Sequence, residues 1–259
     1  MVLALLTACG PVAWAPADLD GLAHWLWFQY ETADDVELAV AVERLHGVLD
    51  PAALEGPQVG RLTDLTPEEQ ATVVIDPPQD PAAATGMYVL DVLPCTLDQA
   101  EALLTESDQG RRYADVYDAY ARTYTSDLAS FEAGDAPFVT WEATVSAAVL
   151  GNDYVAEVDA GLRRSPAQAA APFGPILLSR AHLPRPASFE DPGAAFNQDH
   201  QLEVYYEQSP GSLVHGWFLW REIDAGWGLD TDNENIVALM LSKLAEWDNR
   251  TAEICAAGF

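Results

Sequence analysis

Two stretches of the chain alternate apolar and polar side chains with a period of two, in phase with each other across a tight turn. In Phe138–Leu150, Val139, Trp141, Ala143, Val145, Ala147 and Val149 share one face, and Thr140, Glu142, Thr144 and Ser146 share the other. Gly151-Asn152 is a two-residue hairpin signal. Beyond it Tyr154, Ala156, Val158, Ala160 and Leu162 continue the apolar phase, while Asp153, Glu157 and Asp159 point away. The pattern predicts an antiparallel hairpin with one buried face. Further strands are expected at Met87–Leu93, Gly174–Leu183, His200–Glu207 and Ser212–Ile223. His200–Glu207 is expected to turn Leu202, Val204 and Tyr206 inward. Ser209-Pro210-Gly211-Ser212, a type II turn by its Pro and Gly, then leads into the last strand.

Elsewhere the apolar period is helical. From Thr231-Asp232-Asn233-Glu234, read as a capping box, Ile236, Met240, Leu244, Trp247 and Ile254 recur on one side, with Val237 and Leu241 beside them. Lys243, Glu246, Asn249, Arg250 and Glu253 fall on the other, so a long helix laid over a sheet closes the chain. Near the start, Leu22, Trp25, Leu26, Gln29, Ala33, Val36, Val40 and Leu45 predict one helix from an Asp18 or Asp20 cap to about Val48, covering the outside of the sheet. Its aromatic stripe (Trp25, Trp27, Phe28, Tyr30) is read as core. Thr66-Pro67-Glu68-Glu69 predicts a short capped helix. Two more are expected after Met87–Leu93, one from Thr96-Leu-Asp-Gln99 to about Ser107 and one over Gly110–Ala133, carrying Tyr113, Val116, Tyr117, Tyr120, Tyr124, Leu128 and Phe131. Asp76–Ala84, with Pro77, Pro78 and Pro81, reads as a linker. The expected division is a tether over 1–16, a helical segment over 17–75, a Pro-rich linker over 76–85 and an α+β domain over 86–259.

Composition narrows the partners. The 259 residues are 49% hydrophobic and 10% aromatic, enough for a sizeable core. Against 41 acidic residues stand only 12 basic ones, a formal charge of −29. Such a field repels nucleic-acid phosphates, and a nucleic-acid role is excluded on that ground.

The N-terminus carries its own signal. Met1-Val-Leu-Ala-Leu-Leu-Thr-Ala-Cys9-Gly10 ends in Leu6-Thr7-Ala8-Cys9, which resembles the lipobox of bacterial lipoproteins. The resemblance implies lipid on Cys9, anchoring in the cell envelope through several acyl chains, and, from Gly10, the outer membrane where the cell has one. The remaining pair, Cys95 and Cys255, suits either a disulfide in an oxidising compartment or two separate buried thiols.

Catalytic chemistry is sparse. No Gly-x-Ser-x-Gly elbow or phosphate loop occurs. The five histidines, His24, His46, His182, His200 and His215, are scattered, and no cofactor or metal is indicated. Asp230, Asp232 and Glu234 stand at calcium-loop spacing, but Asn235 and Leu241 replace the Gly and Glu an EF-hand needs.

The order strand, two helices, a run of antiparallel strands and a terminal helix resembles the START-type helix-grip superfamily over Gly86–Ala257. Six strands are read where that superfamily usually has seven, so another is sought in 187–198 or 224–229. The resemblance implies a curved antiparallel sheet gripping the last helix around an apolar cavity, and it brings Cys95 near Cys255. It implies a hydrophobic or lipid-like ligand. The small Ala143, Ala147, Ala156 and Ala160 either let the helix pack closely or leave room for one, and Trp141, Tyr154, Tyr206, His215, Trp217, Met240 and Leu244 are expected to line it. The alternatives are a non-catalytic envelope assembly protein with a packed core, and a helix-grip cyclase or hydrolase.

Overall fold

The computed structural model describes residues 15–51, 54–149, 151–166, 173–224, 231 and 233–258. One antiparallel sheet organises them: β1 (Gln58–Leu62), β2 (Thr85–Leu93), β3 (Ala119–Tyr124), β4 (Phe138–Val149), β5 (Asn152–Ser165), β6 (Ile176–His182), β7 (Ser188–Phe189), β8 (Ala195–Ser209) and β9 (Ser212–Asp224). The spatial order is β1-β2-β9-β8-β6-β5-β4-β3, with β7 against β5. The helices are α1 (Leu19–Phe28), α2 (Asp35–Leu49), α3 (Pro67–Gln70), α4 (Leu97–Thr105), α5 (Gln109–Arg112), α6 (Leu128–Glu132) and α7 (Glu234–Ala257).

The two faces of the sheet carry different helices. On the outer face α1 and α2 bury Leu22, Leu26, Trp27, Leu38 and Leu45 against Leu178, Leu202, Val204, Tyr206, Phe218 and Trp220. Indole N–H groups fasten this layer: Trp27 donates to Glu69 O at 2.9 Å and Trp220 to Thr63 O at 2.8 Å. On the inner face α7 lies along β2, setting Ile236, Val237, Met240, Leu241 and Leu244 on Met87, Val89, Trp217 and Leu219. With helices on both sides, the central strand β9 is buried almost throughout, and its sequence is apolar in both phases.

Several expectations are corrected. The single N-terminal helix is two. Asp34 caps α2 with a full capping box to Glu37, and the break is held by Arg163, which donates to Tyr30 O at 2.7 Å and Ala33 O at 2.5 Å. The helix expected over Gly110–Ala133 is instead α5, β3 and α6. Asp108 and Asp127 cap the short helices, and between them the alternation of Tyr120, Arg122 and Tyr124 with Ala119, Ala121 and Thr123 pairs with β4. Arg122 lies over the Trp141 ring at 4.1 Å.

The hairpin turns earlier than Gly151-Asn152. Val149 pairs with Asn152, and Gly151 takes φ 82°, a left-handed conformation that favours glycine. Moving the turn by one residue shifts the pairing by two, so the inward set is unchanged: Trp141 faces Ala160, Ala143 faces Val158 and Val145 faces Ala156. Thr231 does not cap α7. Its N–H donates to Ile223 O at 3.1 Å and its carbonyl accepts from Thr85 Oγ1 at 3.1 Å, and Asn233 caps the helix instead. The Pro-rich stretch lies on the body of the protein: Asp76 N–H donates to Pro184 O at 2.8 Å, and Gln198 Nε2 donates to Asp80 O at 2.7 Å.

Candidate functional site

Strand phase decides which side chains meet α7. Cross-strand partners share a face, so Asp91 on β2, His215 on β9, Tyr205 on β8 and Leu177 on β6 form one inner-face row. Val89, Trp217, Glu203, Ser179 and Leu162 form the next. Asp199, Gln201, Glu203 and Tyr205 therefore all point inward, and Leu202, Val204 and Tyr206 point outward. Tyr206 is not part of the inner face: it packs under α2, its hydroxyl 3.3 Å from His46 Nδ1. The expectation failed because α1 and α2 make the outer phase of β8 the more apolar one.

At the centre of the inner face His215 sits between two carboxylates. Its Nδ1 is 2.9 Å from Asp248 Oδ1, and its Nε2 is 3.3 Å from Glu203 Oε2. Tyr205 stacks on the imidazole at 4.4 Å and donates its hydroxyl to Glu203. Burial by itself lowers the His215 pKa, but Asp248 and then Glu203 outweigh it and push it up to about 10. The ring is thus an imidazolium at neutral pH, hydrogen-bonded through Nδ1 to Asp248 on α7 and ion-paired through Nε2 with Glu203 on β8. Nearby, burial raises the Asp91 pKa, and burial pushes Tyr113, whose hydroxyl is 2.9 Å from Thr251 Oγ1, up to about 12.

A second polar group stands further along the same face. Arg221 grips Asp199 with Nε at 2.8 Å and Nη2 at 2.9 Å, a bidentate pair. Gln201 stands between the two groups, donating to Asp199 and accepting from Trp217 Nε1 at 3.2 Å.

Apolar side chains frame these groups. At one end Tyr113 stacks on Trp247 at 4.4 Å; Tyr117 meets Trp247 edge-on at 5.4 Å and reaches towards Tyr154 and Arg221. At the other, Tyr154 packs against Phe189 and Phe196, each at 5.6 Å. Between the ends, Val158, Ala160 and Ala181 on β5 and β6 are only half-buried although they point inward. Glu203 and Arg221 keep 15% and 18% of their side-chain surface exposed, whereas His215 and Asp248 keep 2% and 1%. Beside α7 the inner face is thus apolar at these positions of β5 and β6 and polar on β8, with the His215–Asp248 pair sealed behind Glu203.

Of the expected lining residues, Trp141, Tyr154, His215, Trp217, Met240 and Leu244 lie on the inner face or on α7 facing it. Trp141 belongs to the cluster at the Tyr113 end and Tyr154 to the opposite end. Cys95 and Cys255 form a disulfide, with Cα atoms 5.2 Å apart, joining the segment after β2 to the last turn of α7. Cys9, Asp230 and Asp232 fall outside the described residues. Sequence reasoning missed Asp91, Asp199, Gln201, Glu203, Arg221 and Asp248. The signal for Asp248 was present: it stands four residues after Leu244 in the buried phase of α7.

Among the described residues no group of three His, Cys, Asp or Glu side chains is placed to hold a metal, and no helix is long and apolar enough to cross a membrane. Away from the inner face, a cleft of about 310 Å³ lies by the α7 C-terminus among Arg111, Arg112 and Arg250. Its arginines are engaged with Glu106 and Glu253.

No family model matches the chain, and no curated protein matches it. Solved structures do. Human StAR-related lipid transfer protein 5 is 11% identical, over 89% of this chain and 99% of its own, at a TM-score of 0.45. Human STARD10 is 10% identical, over 77% and 70%, at 0.44. A STAR-related lipid transfer protein from Xanthomonas axonopodis is 7% identical, over 77% and 91%, at 0.40. By its own topology, a curved antiparallel sheet closed on one face by a long C-terminal helix, the chain is an α+β protein of helix-grip architecture.

Proposed function

We propose that this protein binds a hydrophobic or lipid-like ligand in the groove between α7 and strands β4–β6, and that it does so at a membrane, anchored through lipid on Cys9. The observation that carries the ligand reading is the half-buried Val158, Ala160 and Ala181 at the middle of the inner face. Facing α7 in a packed sheet, such positions are ordinarily sealed. Here α7 lies over β2, and the small side chains on β5 and β6 beside it stay half-buried. Apolar walls with a few fixed polar groups suit a largely apolar small molecule.

The anchor rests on Leu6-Thr7-Ala8-Cys9, and Gly10 favours the outer membrane of a cell that has one. The Cys95–Cys255 disulfide supports the same address, because disulfides persist outside the reducing cytosol.

The ligand is tested by purifying the protein from its native membrane, extracting bound lipid for mass spectrometry, and measuring binding of a fluorescent fatty-acid probe. Ala160→Phe fills the groove and is expected to weaken probe binding at least tenfold, with circular dichroism and Tm unchanged. Binding that ignores this variant refutes the groove. Palmitate labelling that persists in Cys9→Ser, or fails in the wild type, refutes the anchor.

A further inference from the structure

Three of the chain's 12 basic residues meet at one place: Arg111 and Arg112 on α5 and Arg250 on α7 line the cleft of about 310 Å³ at the end of α7. Ile254 and Ala257, on the last turns of α7, give it an apolar wall. Among the described residues that line it, Glu253 is the one acid.

The cleft is held in shape from behind. Glu106 ties the two α5 arginines together, accepting from Arg111 Nη2 at 2.8 Å and from Arg112 Nε at 2.6 Å. The end of α7 is pinned to the start of α4 by the Cys95–Cys255 disulfide and by Gln99 Nε2, which donates to Cys255 O at 3.2 Å. A surface fixed in advance loses little freedom when a ligand arrives.

Donors remain on this surface. Arg111 gives Glu106 only Nη2, leaving Nε and Nη1. Arg250 gives Nη1 to Glu253 at 3.0 Å, and its buried Nε has no hydrogen-bond partner among the described residues, Asp115 Oδ1 standing 3.8 Å away. The Arg250–Glu253 pair is at the surface, so it contributes little and yields to a better acceptor. Glu106, Glu253 and Asp115 offset the three guanidinium charges, and the end of α7 adds a partial negative charge. An entering anion therefore competes through hydrogen bonds rather than net field. A phosphate monoester, with three terminal oxygens to a carboxylate's two, suits guanidinium forks reaching in from two helices.

We propose that this cleft binds a small phosphate monoester, its oxygens on Arg111 and Arg250 and its organic group on Ile254 and Ala257. The volume fits the lower end of ligand pockets, about 300–1,000 Å³. A formal charge of −29 opposes an anionic membrane surface, whereas one small anion feels mainly the groups within about 8 Å. That favours a free ester over a lipid headgroup. The site shares no residue with the inner-face ligand reading and stands or falls apart from it.

The test titrates the full folded chain calorimetrically at low salt with phenyl phosphate, inorganic phosphate and benzyl alcohol. Phenyl phosphate is expected to bind at one site, about fivefold more tightly than inorganic phosphate, with benzyl alcohol silent. Arg111→Gln and Arg250→Gln should each weaken it about tenfold with Tm little changed. Glu253→Gln, which removes the competing acceptor, should strengthen it about threefold, a gain that a merely structural role would not produce. No binding of phenyl phosphate, or binding indifferent to both arginine variants, overturns the site. Equal affinity for inorganic phosphate overturns the organic half of the assignment. Adsorption to phosphatidate vesicles that is lost in both arginine variants, without binding of the soluble ester, would assign a lipid headgroup and overturn the free ester.

Discussion

Asp248→Asn changes one oxygen to an amide at the centre of the inner face, and its consequence depends on pH. In the wild type His215 carries its charge because Asp248 Oδ1 lies 2.9 Å from Nδ1 and Glu203 Oε2 lies 3.3 Å from Nε2. Folding raises the His215 pKa from 6.5 to about 10, so the native state binds more protons than the unfolded chain between those values. That stabilisation is complete below about pH 6.5 and is lost as pH rises through 10. It falls by about 1.4 kcal/mol per pH unit, or about 3–5 kcal/mol in all. This agrees in size with the cost of stripping one partner from a buried ion pair. On the acid side His182 and His200 act in the opposite sense. Burial pushes both down to about 4, so their contribution is present above pH 6.5 and lost as pH falls towards 4. The wild type should therefore be most stable near pH 6.5–7.

The assay is urea unfolding followed by tryptophan fluorescence between pH 6 and 10. Asn keeps the shape and one acceptor but not the charge. The variant should be less stable by about 2–4 kcal/mol at pH 7, with a flatter alkaline limb, and the two curves should converge near pH 10. Parallel curves across that range would refute the assignment of His215 as an imidazolium paired to α7.

The Cys95–Cys255 bridge closes a separation of 160 residues; in the chain-entropy account, the double Cys→Ala variant should unfold about 5 kcal/mol more easily. A loss below about 1 kcal/mol in denaturant titrations would contradict that. Tyr206→Phe removes a hydroxyl facing His46 beneath α2 and should cost about 1 kcal/mol while leaving probe affinity unchanged in the groove assay. A change in affinity would place Tyr206 in the ligand site after all.

Much of the architecture was legible because it is written in local periods. The in-phase alternation of β4 and β5 specified a hairpin and its buried side even though the turn lies one residue earlier than expected, since that moves the pairing by two and preserves facing. The apolar stripe of α7 identified the gripping helix. The Asp34-x-x-Glu37 box that divides α1 from α2 was there to be read and was passed over in favour of a continuous apolar period. Over 110–133 regular aromatic spacing suggested a helix, but pairing with β4 made Tyr120–Tyr124 an edge strand. That is a choice between periods which a short segment cannot make alone.

The sequence by itself determined that alternate side chains of β8 fall into two sets, Leu202, Val204 and Tyr206 against Asp199, Gln201, Glu203 and Tyr205. Which set meets α7 was decided only by tertiary structure. Alternation separates two faces without saying what covers each, and here α1 and α2 bury the outer one so fully that the more apolar set belongs to it. The inner face could then hold Glu203, His215 and Asp248, three charged groups from two strands and the last helix. They are stable in the interior only because β8, β9 and α7 bring opposite charges within hydrogen-bonding reach of each other.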